Sequence, residues 1–396
     1  MWRWWWLGAG LFLVCAATQA APAADAPSVI LIDALTGQSL REENADAVVR
    51  SGSLSQLMVL LLTLEEAGMG ALPLDVPVAV SASATTSIAV RAAPSLGMQT
   101  LHGKRARVAP PPVPSPPLAL RTEKSYILTD LLKAMVVTSS PQAATAVAEA
   151  IAGSVPACIE LMNARAQRLG MEATHYNSIG DGAAADADAT TVRDLARLAH
   201  ALVRYPSVLE WSSLSGLPFD QGASLLRNVN QLIGTVPGVD GLQVSSTGTG
   251  RTMSYSIVAS ARRGPLRLIA VVAGAPSSVN RYKAAADWLE WGFAHYERLE
   301  IVRKDEPLNF PIRVNHGSEA EVTPIAGKTF SLLRRRDEEH DLQLRYQLPM
   351  TLTAPLKHHQ PVGEIIIEEK GQLIGVVPAL NPRKVRSAGI VAAALP

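Results

Sequence analysis

Short apolar runs separated by polar turns open the chain after residue 28. Val29-Ile30-Leu31-Ile32 is a β-rich run, and the turn at residues 35–38 leads to a second short strand near Ser39. From residue 53 to 67 the pattern becomes helical, and residues 57–64 are apolar nearly all round, which is typical of a buried helix. The pattern therefore predicts a hairpin followed by a core helix.

Helical periodicity continues through the middle of the chain, and strands return after it. Helices are predicted at 128–137, 142–151, 157–169, 191–203 and 282–296, and strands at 256–261 and 266–273. Thr190 or Thr191 is the candidate N-cap of the fourth of these helices. Helices between strand pairs at both ends indicate an α/β (α+β) domain whose sheet is closed by its two termini.

The pattern changes again after about residue 303, to short alternating runs such as 342–348 and 362–368 with a turn at Lys370-Gly371. These runs predict a small all-β C-terminal domain. A chain of 396 residues is also long enough for two domains. We place the first at 27–298 and the second at 304–382.

Residues 91–117 differ from both domains, because His102, Lys104, Arg105 and Arg107 are followed by a run of prolines. Such proline density favours extended polyproline II structure without a core of its own. We interpret this segment as a surface insertion.

The first 20 residues combine Arg3, an apolar stretch and small residues near Ala20, which is the order of a secretory signal peptide. We expect an exported protein of the periplasm or cell envelope. The alternative is a retained N-terminal anchor, since Trp4 to Trp6 suit a membrane interface. The apolar residues 387–395 are too short to span a bilayer, which takes about 20 residues, so we expect no transmembrane segment in the mature chain.

Composition and charge exclude some partners. The net charge is +1 and no aromatic-interleaved basic stretch occurs, so nucleic acid is not an expected partner. His316, His340, His358 and His359 lack the spacing of a metal site, and we expect neither a metal nor a cofactor.

Ser53 lies at the start of the predicted core helix, where backbone N–H groups and the helix dipole stabilise a developing oxyanion. It is therefore a candidate nucleophile. Locally, however, Ser53-Leu54-Ser55-Gln56 also fits a capping box, in which Ser53 and Gln56 satisfy each other's backbone donors.

The surrounding sequence resembles the low-molecular-weight penicillin-binding proteins that are serine-type D-alanyl-D-alanine carboxypeptidases. The resemblance rests on Ile30-Leu31-Ile32-Asp33, Gly37, Glu43-Asn44-Ala45-Asp46, Ser53-Leu54, Leu161-Met162-Asn163-Ala164, Leu169-Gly170-Met171, Arg193-Asp194-Leu195-Ala196, Trp291-Gly292-Phe293 and, in the second domain, Ala354-Pro355-Leu356 and Val362-Gly363-Glu364-Ile365. It implies a β-lactamase/transpeptidase-like domain with an antiparallel sheet and a helical cluster. It also implies that the pocket takes a peptidoglycan stem peptide or a β-lactam.

The family has three active-site motifs, S-x-x-K, S-x-N and K-T-G, and the resemblance implies that lysine activates the serine. In the first, Ser53 stands at the nucleophile position and Gln56 replaces the lysine base. The second falls on Ser139-Ser140-Pro141, so Ser139 is kept and Pro141 replaces the asparagine that holds substrate. A shift by one residue would give Ser140-Pro141-Gln142 instead.

The third motif has two possible registers. Counting back from residues 257–261 gives Ser246-Thr247-Gly248, which we prefer because it keeps the threonine and the glycine. Counting on from residues 239–241 gives the alternative, Gln243-Val244-Ser245. Neither register contains a lysine. The basic residue that the family directs at the substrate carboxylate falls at Ala275, with Arg281 nearby.

The damaged motifs leave three hypotheses for the function. The first is a catalytically impaired D-Ala-D-Ala carboxypeptidase-like protein retained for stem-peptide binding or regulation. The second is an active carboxypeptidase that trims the terminal D-Ala through an acyl-Ser53 intermediate, with His102 or Lys104 of the insertion as a substitute base. The third is a structural adaptor of the envelope.

Overall fold

The structure is a computed structural model that describes residues 27–86, 118–180, 188–247, 253–339 and 341–388. The predicted signal peptide, the predicted insertion at 91–117, Gly248, His340 and residues 389–396 lie outside these ranges. The strands are β1 (Ser28–Asp33), β2 (Ser39–Glu43), β3 (Pro77–Ala79), β4 (Ser125–Ile127), β5 (Gly216–Phe219), β6 (Ser224–Arg227), β7 (Val239–Thr247), β8 (Ser254–Arg263), β9 (Leu266–Ala275), β10 (Tyr296–Val302), β11 (Ile312–Asn315), β12 (Glu321–Val322), β13 (Ile325–Ala326), β14 (Phe330–Arg335), β15 (Leu342–Gln347), β16 (Thr351–Thr353), β17 (Pro361–Glu369) and β18 (Gln372–Leu380). The helices are α1 (Gln56–Gly68), α2 (Ala82–Thr86), α3 (Leu128–Thr138), α4 (Pro141–Ala152), α5 (Val155–Arg168), α6 (Val192–Leu202), α7 (Pro206–Ser212) and α8 (Ser278–His295), and a 3-10 turn, Gly52–Ser55, precedes α1.

A five-stranded sheet of order β2-β1-β9-β8-β7 organises the first domain. All of its neighbouring pairs are antiparallel. The two N-terminal strands join strands from residues 239–275, so the predicted closure of the sheet by both ends of the domain is confirmed. Strand β7 is one edge of this sheet.

Each face of the sheet carries its own layer of helix. Because side chains alternate along a strand, Ile30 and Ile32 pack with the helical cluster that includes α1, α3, α4 and α6. Val29 and Leu31 point the other way and pack with residues of α8. The result is a three-layer α/β arrangement with a core on both sides of the sheet.

The helical cluster follows the predicted elements closely, and its caps explain the boundaries. Thr191 is the N-cap of α6, because its Oγ1 accepts the backbone N–H of Asp194 at 3.1 Å. Ser140 caps α4 in the same way, and Pro141 occupies the first helical position, where a backbone N–H is not needed. Proline therefore fits the local fold at this point.

The C-terminal region is all-β, as predicted. It contains a four-stranded sheet of order β13-β18-β17-β15, a three-stranded sheet of order β12-β11-β16 and the pair β10-β14. Strand β10 begins at Tyr296, two residues before the predicted end of the first domain, and pairs with β14. Buried Arg298 of β10 also binds Asp33 of β1 at 2.7 Å, which ties the C-terminal region to the main sheet.

The structure also contains elements that the sequence pattern did not predict. They include the hairpin of β5 and β6 and the short helix α7. Within the described ranges, no single helix has the length and apolar character needed to cross a bilayer; the bent pair α4 and α5 meets both criteria only when taken together.

Candidate active site

Three pieces of chain meet at the edge of the main sheet. They are the 3-10 turn before α1, the junction between α3 and α4, and strand β7. The close contact between the turn and β7 requires a glycine at position 52, whose φ is +50° and whose added Cβ would clash with Thr247 and Ser245. The turn therefore holds Ser53 directly against β7.

Ser53 is tied to β7 through two atoms. Its backbone N–H donates to Ser245 Oγ at 3.0 Å, and its Oγ donates to the carbonyl of Val244 at 3.2 Å. Ser53 is not a helix N-cap, because the N-cap of α1 is Ser55, which makes no side-chain cap bond. The capping-box interpretation of Ser53 and Gln56 is therefore wrong, since tertiary contacts with β7 replace the local ones.

Gln56 is fully buried and points into the same cluster. Its Oε1 accepts from Gln243 Nε2 at 2.8 Å, and its own Nε2 donates to the backbone carbonyl of Ser139 at 3.5 Å. Gly180 makes room for the amide, because a Cβ there would lie 2.6 Å from Gln56 Nε2. The Gln56 amide thus contacts the α3–α4 junction and β7 and lies against Gly180.

Ser139 ends α3 in the left-handed conformation, with φ +52°. Its Oγ donates to the Val244 carbonyl at 3.2 Å and accepts from Gln243 Nε2 at 3.3 Å. Ser53 and Ser139 therefore share one carbonyl acceptor on β7, and Gln243 lies between Ser139 and Gln56.

The remaining predicted site residues lie around this cluster. Pro141 is buried at the start of α4. Of the preferred third-motif register, Thr247 is buried and Ser246 is half-buried on β7, while Gly248 lies outside the described residues. Gln142 of the shifted second motif is used elsewhere, since it donates to the carbonyl of Thr85 and accepts from the N–H of Leu120. His102 and Lys104 lie outside the described residues.

Two further residues support the site, and sequence reasoning missed the first of them. Buried Asp188 accepts from Ser51 Oγ at 2.8 Å and from the N–H groups of Asn177 and Ser178, so it fixes the chain just before the turn. Arg281 of α8 donates to the carbonyl of Ser245 at 2.7 Å. Asp188 lies in an Ala- and Asp-rich stretch that offers no pattern to find it by.

The cluster is built from neutral groups. Ser53, Gln56, Ser139, Gln243 and Ser245 contact one another through hydroxyls, amides and backbone carbonyls. Arg281 contacts the Ser245 carbonyl of β7, and its guanidinium offers hydrogen-bond donors but no acceptor. In the described part of the chain, no group of three or more His, Cys, Asp or Glu residues is arranged to hold a metal.

An antiparallel sheet between helical layers, with a serine at the start of a buried helix against an edge strand, defines a transpeptidase-like fold. The family model described as D-alanyl-D-alanine carboxypeptidase matches residues 15–102 and 115–277. The model described as penicillin-binding protein 5, C-terminal domain, matches residues 296–387. The chain belongs to the D-alanyl-D-alanine carboxypeptidase family of low-molecular-weight penicillin-binding proteins.

Individual relatives agree with this assignment. The chain is 30% identical over 374 residues to the D-alanyl-D-alanine carboxypeptidase DacC of Escherichia coli, covering 94% of this chain and 87% of the relative. Among solved structures, PBP3 of Streptococcus pneumoniae superposes with a TM-score of 0.66 at 22% identity, covering 91% of this chain and 98% of that one, which shows the fold. Penicillin-binding protein D2 of Listeria monocytogenes in its ampicillin-bound form superposes with a TM-score of 0.51 at 27% identity, covering 67% of this chain and 96% of that one.

Proposed function

We propose that this protein is an exported, catalytically impaired member of its family that binds peptidoglycan stem peptides along the edge of β7 beside Ser53, a proposed binding site that we call the cleft. The observation that carries the proposal is the contact between Gln56 and Gln243, whose amides bind each other next to both candidate serines. In the family, motif lysines supply the base for the serine. Here the corresponding space is filled by two amides.

This contact also supports a choice of register for the third motif. Gln243 touches Gln56 and Ser139, which are the first- and second-motif residues. We therefore propose Gln243-Val244-Ser245 as the third motif, in place of the register preferred on sequence grounds. Gln243 then stands at the lysine position and Ser245 at the glycine position.

An amide nitrogen cannot take the proton of Ser53. The Ser53 hydroxyl instead donates to the Val244 carbonyl, which is not a base. General-base assistance contributes a factor of about 10² to 10⁴ to the rate. The rate losses caused by replacing several members of one catalytic unit are not additive. Loss of both lysines and of the second-motif asparagine accounts for an inactive nucleophile.

Binding does not need the proton transfer. Strand β7 is an edge strand beside Ser53, and an extended peptide can pair with such an edge through its backbone. The ampicillin-bound Listeria relative supports a β-lactam as a second ligand class for the same cleft. A secretory signal at residues 1–20, as proposed from the sequence, would deliver the protein to the periplasm or envelope, where stem peptides occur.

The test is the intact mass of the purified protein before and after incubation with benzylpenicillin, together with calorimetric titration of a purified muropeptide that carries a D-Ala-D-Ala stem. We expect no adduct and measurable muropeptide binding, with Ser53→Ala as the control for both. A stoichiometric adduct at Ser53 would establish an activated nucleophile and overturn the impaired-enzyme proposal. Absence of muropeptide binding by the folded protein would favour the structural-adaptor hypothesis.

A further inference from the structure

The backbone N–H of Ser53 is already used within the protein. In serine acyl transfer, the N–H of the nucleophile is one of the donors that stabilise the tetrahedral oxyanion. Here that N–H donates to Ser245 Oγ at 3.0 Å. A donor that catalysis requires is therefore paired with a side chain of the site itself.

Ser245 is held firmly in this position. It is 3% exposed, and its backbone carbonyl accepts from Arg281 Nη1 at 2.7 Å. Arg281 is 4% exposed and is itself bound to Tyr282 and Ser278. Arg281 thus binds the backbone of β7 from α8, while the Ser245 side chain faces the 3-10 turn that carries Ser53.

The contact with the Ser53 N–H depends on which residue type stands at position 245 of the proposed motif. In the proposed register it stands where the family has glycine, and a glycine in a strand lets a ligand or another backbone approach closely. A serine there adds a Cβ and a hydroxyl that reach the nucleophile's N–H. Gly52 has no side chain and permits this approach.

We propose that Ser245 is a specificity-determining residue that blocks the Ser53 N–H, so that the cleft accepts the planar, neutral amides of a stem peptide and rejects tetrahedral, anionic adducts of Ser53. This inference rests on the proposed function, because it assumes that the stem peptide occupies this cleft. According to this inference, acylation of Ser53 is hindered by the Ser245 hydroxyl as well as by the missing lysines.

The first test measures hydrogen exchange at the Ser53 amide in the full chain, by residue-resolved mass spectrometry. Ser245→Ala removes the acceptor, and we expect exchange about 5- to 10-fold faster, the equivalent of one ordinary hydrogen bond. Ser254→Ala, on the paired strand β8, is the matched control and leaves this exchange rate unchanged. Unchanged exchange in a folded Ser245→Ala variant overturns the proposal.

The second test measures adduct binding with the boronic acid analogue of N-acetyl-D-alanine. Ser53 Oγ adds to boron, no bond to boron breaks, and the hydroxyl proton passes to solvent, which leaves a tetrahedral boronate anion. We expect Ser245→Gly to bind this probe on the order of 10²-fold more tightly than the wild type, since one oxyanion donor is worth about that factor. Ser254→Gly is the matched control, and Ser53→Ala in the Ser245→Gly background abolishes the gain.

The proposed function and this inference fail in different experiments. A penicillin adduct on the wild-type protein contradicts the impaired-enzyme proposal, whatever the exchange rate of the Ser53 amide. Unchanged exchange of the Ser53 amide in folded Ser245→Ala contradicts the role of Ser245 even when no penicillin adduct forms, and so does unchanged boronate affinity in Ser245→Gly. If Ser245→Gly fails to fold, boronate binding by Ser245→Ala decides the question, because that variant also frees the N–H.

Discussion

Gln243 donates from its Nε2 to the Oε1 of Gln56 across 2.8 Å, and both side chains are almost completely buried. In the proposed register these two amides stand at the positions of the two motif lysines. An amide pair joined by a hydrogen bond is neutral, whereas a single lysine opposite an amide would place a buried charge there without a counter-ion. The proposed register therefore gives this buried contact no net charge.

The pairing predicts energetic coupling between Gln56 and Gln243. Gln243→Ala removes the donor to buried Gln56 Oε1, and Gln56→Ala removes one of the two acceptors of Gln243 Nε2, so each single variant should lose about 1–3 kcal/mol of unfolding free energy. The double variant should lose less than the sum, by about 0.5 kcal/mol or more. Urea unfolding of the four proteins measures this cycle, and strict additivity would show that the contact contributes nothing.

A second prediction concerns Gln56→Lys alone. The new side chain would enter a fully buried site whose nearest partner, Gln243, presents its amide nitrogen. We expect a lower melting temperature, no mass adduct with benzylpenicillin and no release of D-alanine from a D-Ala-D-Ala peptide, because the second and third motifs remain altered and Ser245 still holds the Ser53 N–H. Gln56→Met is the size-matched neutral control for stability. Full turnover by Gln56→Lys would show that the other replacements matter little.

A third prediction concerns the buried ion pair between Asp33 of β1 and Arg298 of β10. Asp33 Oδ2 also accepts from the N–H and hydroxyl of Thr36, so Arg298 is its only cationic partner among these contacts. Asp33→Ala leaves a buried guanidinium without its carboxylate, and we expect a loss of about 3–5 kcal/mol in unfolding free energy. The exposed pair of Arg41 and Glu43 supplies the control, since Glu43→Gln should cost at most about 1 kcal/mol. Equal effects of the two variants in urea unfolding would contradict this.

The fourth prediction is a pH dependence of stability that arises at Arg193. Its guanidinium donates to Glu42 and Asp46, and these hydrogen bonds lower the pKa of both carboxyls below their ordinary values. Carboxyls with a lowered folded pKa stabilise the protein above their unfolded pKa, and this contribution is lost as the pH falls through the folded pKa.

We therefore expect the melting-temperature difference between wild type and Arg193→Gln to be largest near neutral pH and to shrink below about pH 4. Solvent screening limits the corresponding difference in unfolding free energy to roughly 1 kcal/mol or less at neutral pH, because Glu42 and Asp46 are exposed. Added salt at about 1 M should reduce the difference further. A difference that grows as the pH falls would contradict the assignment of these ion pairs.

The sequence predicted most of the regular elements because their signals are local. The core helix, the helices at 128–137 and 142–151, and the Thr191 cap each depend on hydrophobic spacing or on a side chain within three residues, and the structure contains them. The hairpin of β5 and β6 was missed. Its turn, Asp220-Gln221-Gly222, has three positive φ angles in a row, and Asp-Gln is not a strong hairpin signal.

The contacts of the candidate site could not be predicted from the local sequence. Ser53-Leu54-Ser55-Gln56 reads as a capping box, but contacts with residues about 190 positions later determine what Ser53 and Gln56 bind. Likewise, counting on from residues 239–241 and back from residues 257–261 gave two registers three residues apart, and the local sequence did not decide between them.

The amino-acid sequence by itself determined the family, the α/β domain with its small β domain, and the absence of lysine from residues 53–56 and from both candidate registers of the third motif, since these depend on residue identity and periodicity. The tertiary structure alone decided which β7 side chains meet Ser53, that Gln56 and Gln243 bind each other, and that Ser245 occupies the nucleophile's N–H. The physical reason is that a hydrogen bond between distant residues depends on how sheet and helix pack, and no local pattern encodes that packing.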